Sequence, residues 1–434
     1  MIRRTLFEWQ PIAYGEDPAT QIPVWAADRL AAVARKSPLG GENGGRILAH
    51  GRSALRAGQV VGVIAATNCT LEILPKIDVA AGGEAATQGQ IRQKLVHLLA
   101  VAMDIDIDGG TLTTLGWQQD NLLEILIRLF SLKLIDALRQ GMPRHYIERE
   151  EDMATLRGRL DVTRQFTRLA ANPARLACRF DELSPDIAIN RIMRAAVDRL
   201  RRISQSADNQ RRLAELAFAY ADITPVPRQA LRWDAVRLDR TNARWKDLLA
   251  LARLILGERF QTSSMGEQTG FSLLFEMNTL FEEYIGRMLR RALAGSGLSV
   301  HLQGGRLYCL EAADDGRRTF QTRPDILIKR GGEVVHIVDT KWKRIASRID
   351  DPKQGVSQAD VYQMMAYGQL YGCGALTLLY PHHDALRSLP GTLSRHRVGR
   401  TAQRLHLASV DIADHKSVTG QLRALLAAPA DSIV

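Results

Sequence analysis

Apolar positions along the chain fall into two periods that change over with position. "GQVVGVIAA" (Gly58–Ala66) and "CTLEILPKI" (Cys69–Ile77) are short β-rich runs with turn residues around them, so residues 1 to about 115 read as strands and turns. From about 118 to 262 a helical period takes over, in "LLEILIRLFSLKLIDAL" (Leu122–Leu138), "AINRIMRAAVDRLRRI" (Ala188–Ile203) and "ARWKDLLALARLIL" (Ala243–Leu256). Glu124, Arg128, Lys133 and Asp136 interrupt the first of these, which makes it a buried helix and not a membrane span. Beyond residue 265 the pattern is mixed. "FSLLFEMNTLFEEYIGRMLRRAL" (Phe271–Leu293) predicts one amphipathic helix with Leu274, Met277, Phe281, Ile285, Met288 and Leu289 as its apolar stripe. "GALTLLYP" and "RLHLASVDI" predict late strands. "SPLGGENGGR" (Ser37–Arg46) reads as a loop. It lacks the Gly-Lys-Ser/Thr ending of a phosphate-binding loop, so this chain is not expected to hydrolyse GTP or ATP by itself.

One segment breaks the pattern of a buried strand. "RPDILIKRGGEVVHIVDTKWK" (Arg323–Lys343) has two β-branched runs around Gly331-Gly332, a hairpin signal, yet carries Asp325, Asp339 and Lys341 among its apolar residues. Alternation along a strand puts Val335, Ile337, Asp339 and Lys341 on one face. A three-residue loop at 331–333 would set Asp325 opposite Asp339; a two-residue loop would offset them by one position. In the facing register two carboxylates and an ammonium converge. Such carboxylates repel, and burying either as an anion is costly without a partner. Mg²⁺, with Mn²⁺ as a substitute, answers both problems, because it takes oxygen ligands and keeps waters. The cation supplies a nucleophilic water and stabilises charge developing at phosphorus, and Lys341 could orient that water or balance the charge. A solvated ion pair is the plain alternative for an isolated Asp-x-Lys. The preceding Pro-Asp at matching register favours the active-site reading.

The next segment, "QADVYQMMAYGQLYG" (Gln358–Gly372), predicts a helix with Val361, Met364, Met365 and Leu370 as its apolar positions. Gln363 and Tyr367 share one face of it, with Asp360 a turn earlier. These polar groups could hold a water, a metal ligand or a phosphate beside the carboxylates. On the upstream helix Glu282 borders the apolar stripe and could reach inward as another acidic ligand, while Glu283 is expected in solvent.

The order of helix with Glu, strand with Pro-Asp, strand with Asp-x-Lys and helix with Gln-x-x-x-Tyr resembles the PD-(D/E)xK nuclease superfamily. The whole chain is similar, more narrowly, to the McrC family of nuclease subunits from McrBC restriction systems. That likeness rests on "GVIAATNCTLEILPKID" (Gly62–Asp78), "CRFDELSPDIAINRIMRAA" (Cys178–Ala196), "FEMNTLFEEYI" (Phe275–Ile285), and the hairpin with its following helix. The resemblance implies a Mg²⁺-dependent DNA endonuclease whose site comprises Asp325, Asp339, Lys341, Glu282, Gln363 and Tyr367, with Asp325, Asp339 and Glu282 as metal ligands. It also implies an McrB-like AAA+ GTPase hexamer as partner, contacted and stimulated by the N-terminal half. That partner would recognise 5-methylcytosine, and GTP-driven translocation would precede cleavage of double-stranded DNA, in defence against foreign DNA. Two other classes remain: a stand-alone or recombination-linked nuclease of the same superfamily, and a non-catalytic activator of an AAA+ ATPase. The intact Asp325, Asp339 and Lys341 argue against the second.

The expected architecture is a multi-domain α/β chain. A β-rich partner-binding region spans 1–117, a helical middle region 118–264, and a nuclease-like mixed sheet flanked by helices 265–434. Composition supports a polyanionic partner: Lys and Arg number 58 against 47 Asp and Glu, a formal charge of +11 and a pI near 9.7. Basic clusters occur at Arg287/Arg290/Arg291, at Lys341/Lys343/Arg344 and in "SRHRVGRTAQR" (Ser394–Arg404). Four scattered cysteines form no CxxC pair, and "MIRRTLFEWQ" soon turns polar. Structural zinc, a disulfide framework and a signal peptide are therefore not expected, and the cytoplasm is the expected compartment.

Overall fold

Gly62 explains how the N-terminal sheet is finished. It adopts φ +135°, and a Cβ there would lie 1.9 Å from the Leu273 carbonyl oxygen. Only glycine lets the Gly270–Glu276 strand approach so closely along Val60–Ala66, which it pairs antiparallel with Gly62 opposite Leu274. The resulting four-stranded sheet runs Ile2–Phe7, Cys69–Leu74, Val60–Ala66, Gly270–Glu276. The single helix expected over Phe271–Leu293 is thus a strand followed by a helix, Met277–Ala292. An unbroken apolar run such as Leu273–Phe275 fits either period, and burial on both sides decided for strand.

The computed structural model describes residues 1–41, 44–77, 87–107, 117, 120–172, 174–240, 242–257, 270–346, 348–351 and 355–427. In the Ser37–Arg46 loop the structure has a short 3₁₀ turn, Pro38–Gly40, and residues 42 and 43 lie outside the described set. The chain forms two units: residues 1–107, 117–122 and 260–434 make one, and 108–116 with 123–259 the other. Among the described residues no helix is long and apolar enough to cross a membrane.

In the first unit a second small sheet and the Val24–Arg35 helix pack against the N-terminal sheet around Leu30, Ile47, Leu55, Ile64 and Leu71. Glu72 is buried in the Cys69–Leu74 strand and accepts two-pronged bonds from Arg92, 2.7 Å from Nη2. The C-terminal part is a six-stranded mixed sheet in the order Leu298–Leu302, Ile326–Arg330, Glu333–Thr340, Ala375–Pro381, Arg404–Val410, Gly391–Arg397. The Glu333–Thr340 strand is antiparallel to its hairpin partner and parallel to Ala375–Pro381, and the Gln358–Leu370 helix is the crossover that a parallel pair requires. Met364 and Tyr367 of that helix join Leu327, Ile337, Leu376 and Leu378 in one core cluster. Met365, expected on the same apolar face, is exposed. The Met277–Ala292 helix packs on the Leu298–Leu302 and Glu333–Thr340 strands.

The second unit is less purely helical than its sequence suggests. Besides the helices Leu122–Arg139, Ala188–Ile203, Ala207–Ala219 and Lys246–Leu256, it holds a three-stranded antiparallel sheet, His145–Met153, Leu176–Ser184 and Arg159–Leu160. That sheet presents alternating acids and arginines, paired as Arg149–Glu182, Arg179–Glu150 and Arg159–Glu148. Glu124, on the helix read as buried, is indeed enclosed, and its carboxylate accepts from Ser204 Oγ, the Gln205 amide and Asn209 Nδ2 at 2.8, 2.6 and 2.8 Å.

Candidate active site

The hairpin closes with a two-residue loop, since Arg330 pairs with Glu333 across Gly331-Gly332. Both glycines have positive φ, +57° and +98°, as the turn that matches strand twist demands. Such a loop would offset the two aspartates by one position. A β-bulge removes the offset: Lys329 pairs with Val334, Ile328 pairs with His336, and Val335 is left without a partner. Beyond it Ile326 faces Val338, so the same register places Asp325 opposite Asp339. The Asp325 carbonyl accepts from the Gln303 amide at 2.7 Å, which ties this end to the neighbouring strand. The bulge also breaks the expected alternation. Val335 is exposed, and Val334 packs with the cluster around Ile337.

Asp339 is 1% exposed. Its Oδ2 lies 2.7 Å from Lys341 Nζ, and among the described residues neither of its oxygens has any further hydrogen-bond partner. Burial, and then the charge of Asp325, raise its carboxyl to about 7. Asp325 is raised as well, by burial, against the pull of bonds from Thr340, whose N–H and hydroxyl donate to Oδ2 at 2.8 and 3.0 Å. Burial lowers the Lys341 ammonium, but Asp339, Asp360 and Asp325 together leave it above its ordinary value. Lys341 Nζ also donates to Gln363 Oε1 at 3.4 Å and stands 3.7 Å from Asp360. Gln363 Nε2 donates to the Tyr367 hydroxyl at 2.7 Å.

Glu282, a partly buried residue of the Met277–Ala292 helix, is pushed up to about 7 by burial and then by Asp325, and it hydrogen-bonds to Gln303. Glu283 is not in open solvent, because its carboxylate lies 3.9 Å from Arg287 and is only 18% exposed. The hairpin and the two helices therefore gather Asp325, Asp339, Lys341, Gln363 and Tyr367 into one linked group, with Glu282 in electrostatic range of Asp325. Among the described residues no three Asp, Glu, His or Cys side chains stand close enough to cage an ion alone. The donor set nevertheless fits a hard divalent cation: two facing carboxylates resist ionising together, and the buried Asp339 Oδ1 has no hydrogen-bond partner among the described residues.

Trp342 was missed from sequence. Its N–H donates to Asn278 Oδ1 at 3.1 Å, its carbonyl accepts from Gln59 Nε2 at 3.1 Å, and its indole N–H donates to the buried Glu8 at 3.0 Å. Its ring meets Phe281 edge-on at 5.5 Å. The residue after Lys341 is thus fixed from the N-terminal sheet and from the helix that carries Glu282. Of the basic clusters, Arg287 and Arg290 are engaged with the carbonyls of Ala102 and Val300.

The sequence model for McrBC 5-methylcytosine restriction system components matches residues 55–381. Among solved structures, the fold is similar to that in a half-complex of Thermococcus gammatolerans McrB AAA+ hexamers with bound McrC. There the TM-score is 0.71 at 21% identity, covering 98% of this chain and 99% of that one. The cryo-EM structure of the Thermococcus gammatolerans McrBC complex gives a TM-score of 0.53 at 25% identity, covering 67% of this chain and 88% of that one. No curated protein matches significantly. Because the family match runs through most of the chain and takes in the whole hairpin, the chain belongs to the McrBC 5-methylcytosine restriction system component family.

Proposed function

We propose that this chain is the DNA endonuclease subunit of a 5-methylcytosine-dependent restriction system, hydrolysing phosphodiester bonds with Mg²⁺ or Mn²⁺ and acting with an McrB-like AAA+ GTPase. The observation that carries it is Asp339, a buried carboxylate that among the described residues is bonded only by Lys341 and that faces Asp325 across the hairpin. A buried acid so poorly satisfied is costly in a purely structural role.

Asp325 and Asp339 would hold the cation, with Glu282 beside them. When bound, the cation supplies charge stabilisation at the phosphoryl oxygens and an activated water. Lys341 does the rest of the electrostatic work. Kept protonated by three carboxylates, it offers an ammonium to the developing negative charge or to the attacking water. Gln363, itself bonded to Tyr367, accepts from Lys341 and so helps position its ammonium, and Thr340 fixes one oxygen of Asp325.

Family membership supports an AAA+ partner, as do the Thermococcus gammatolerans assemblies, in which McrC is bound to McrB AAA+ hexamers. We assign partner binding to residues 1–117 and the cleavage chemistry to 265–434. The test is cleavage of a 5-methylcytosine-containing plasmid by this chain with its co-expressed AAA+ neighbour, GTP and Mg²⁺. Linearisation by wild type and not by Asp339→Ala, with GTP hydrolysis intact in both, is the expected result. Cutting by a folded Asp339→Ala protein would overturn the assignment.

A further inference from the structure

A cavity of about 500 Å³ is lined by Lys341 but by neither of the two aspartates, and among others by Glu8, Trp9, Lys76, Lys343 and Arg344. We infer that this cavity holds one strand of DNA next to the scissile phosphate, with Trp9 as a stacking platform for a base and Lys76, Lys343 and Arg344 against the backbone. The inference rests on the nuclease reading above and adds a substrate site to it.

Four cations line the cavity, counting Lys341, against two carboxylates, Glu8 and Asp360. Neither carboxylate offers the cavity much negative charge. Asp360 and Lys343 are paired at 2.8 Å, so those two charges offset each other and the excess rests on the remaining cations. Glu8 is 1% exposed, and its Oε2 is committed to the Trp342 indole and the Lys76 amide at 3.0 and 3.2 Å. Of the lining residues that reach solvent, the charged ones, Lys76 and Arg344, are both basic. The cavity lies within the size range of small-ligand sites and is large enough for a nucleotide.

Trp9 is the second, independent sign. It sits in the turn between the Ile2–Phe7 and Pro11–Tyr14 strands with φ +64°, a left-handed backbone that is a true outlier for a bulky residue. The turn is pinned by a bond from the Trp9 amide to the Gly58 carbonyl and by another from Arg56 Nε to the Trp9 carbonyl, at 3.4 and 3.0 Å. The strain yields no burial, for the side chain stays 47% exposed at the cavity wall. Backbone strain that presents an aromatic to solvent beside cations matches how proteins seat single strands, by stacking bases while basic groups follow the phosphates. A free nucleotide would use the same chemistry. A continuous strand is favoured because the cavity shares Lys341 with the cutting site, so a phosphodiester bound at that lysine leads directly into it.

The test measures binding of a fluorescently labelled DNA duplex to the full chain by anisotropy across a salt series, for wild type, Lys76→Ala, Trp9→Ala and Trp9→Phe, each checked by thermal melting. Lys76→Ala should make the plot of log affinity against log salt shallower by about one. Trp9→Ala should weaken binding about tenfold at every salt concentration, and Trp9→Phe should restore most of it. Deoxycytidine monophosphate should not displace the duplex. Wild-type affinity and slope in both alanine variants would overturn the site, as would displacement by the mononucleotide, which would mark it as a nucleotide pocket. Asp339→Asn, run in parallel for cleavage, separates the two ideas: cutting by that variant removes the nuclease reading, and these binding results then judge the cavity alone.

Discussion

Thr340 gives both its backbone N–H and its hydroxyl to a single oxygen of Asp325, at 2.8 and 3.0 Å. One aspartate of the facing pair therefore accepts two hydrogen bonds that pull its carboxyl down against burial, while among the described residues the other, Asp339, is bonded only by a lysine. Two chemically identical side chains are given unequal environments by Thr340, the residue that follows Asp339 on its own strand.

That inequality predicts the effect of Thr340→Val. The amide bond survives and the hydroxyl bond is lost, a change worth about 1 kcal/mol. Cleavage should fall roughly five- to tenfold in this variant, in proportion to that energy, and need more Mg²⁺ for half-maximal rate. Thr340→Ser should behave as wild type. An unchanged Mg²⁺ requirement in Thr340→Val would show that Asp325 does not depend on this bond.

Lys341→Met keeps the length of the side chain and removes its charge. Cleavage should fall at least a hundredfold, on the scale seen when a charge-stabilising donor is lost. Partner GTP hydrolysis and DNA binding in Ca²⁺ should persist. An exposed ion pair would contribute only about 0–1 kcal/mol to stability and nothing to cleavage, so a variant that cuts normally would return Lys341 to that role.

Mg²⁺ should stabilise the chain even when no DNA is present. A cation at a hundred times its dissociation constant adds about 2.7 kcal/mol to a state that alone binds it. The melting temperature should thus rise with Mg²⁺ and fall back with EDTA, and Asp339→Asn should show no rise. An equal rise in that variant would place the cation elsewhere.

Glu8 predicts a pH dependence of stability that does not involve the facing aspartates. Burial raises its carboxyl from 4.5 to about 7 in the folded chain. The folded state therefore binds the proton more tightly than the unfolded one. The stability this supplies is complete below about pH 4.5 and is lost as pH rises to about 7, with no further change above. Glu8→Gln keeps a carbonyl oxygen for the Trp342 indole but cannot ionise. Its advantage over wild type should grow through that window toward a ceiling of roughly 3 kcal/mol. Denaturant melts at pH 5 and pH 8 measure it. A constant difference between the two proteins at both values would mean that Glu8 is ionised throughout.

Deleting Val335 is a test of register. It removes the one residue without a cross-strand partner and leaves the two-residue loop in place. The shortened strand still sets Asp339 opposite Asp325, so cleavage should survive within a few-fold. Loss of cutting in a normally melting deletion variant would mean that the bulge itself aims the carboxylate.

Much of the candidate site is legible from spacing, because Asp325, Asp339 and Lys341 lie on one short hairpin and Gln363 and Tyr367 on one helix turn. Local periodicity carries such information well. It could not show the bulge, since nothing in "GGEVVHIVD" distinguishes an extra residue from a longer loop. Nor could it show the clasp on Trp342, whose partners Glu8 and Gln59 are distant in sequence and are brought near only by the sheet. The strand at Gly270–Glu276 was hidden for a related reason, as its identity depends on Gly62 leaving room for it.

That strand imposes an order of events on a newly made chain. The sheet begun by Ile2–Phe7, Val60–Ala66 and Cys69–Leu74 keeps an open edge until residues 270–276 have left the ribosome, and the whole second unit is synthesised in between. An exposed apolar strand edge invites pairing with other chains. Until closure that edge is open to such pairing, and slowed translation of the intervening unit would lengthen the interval.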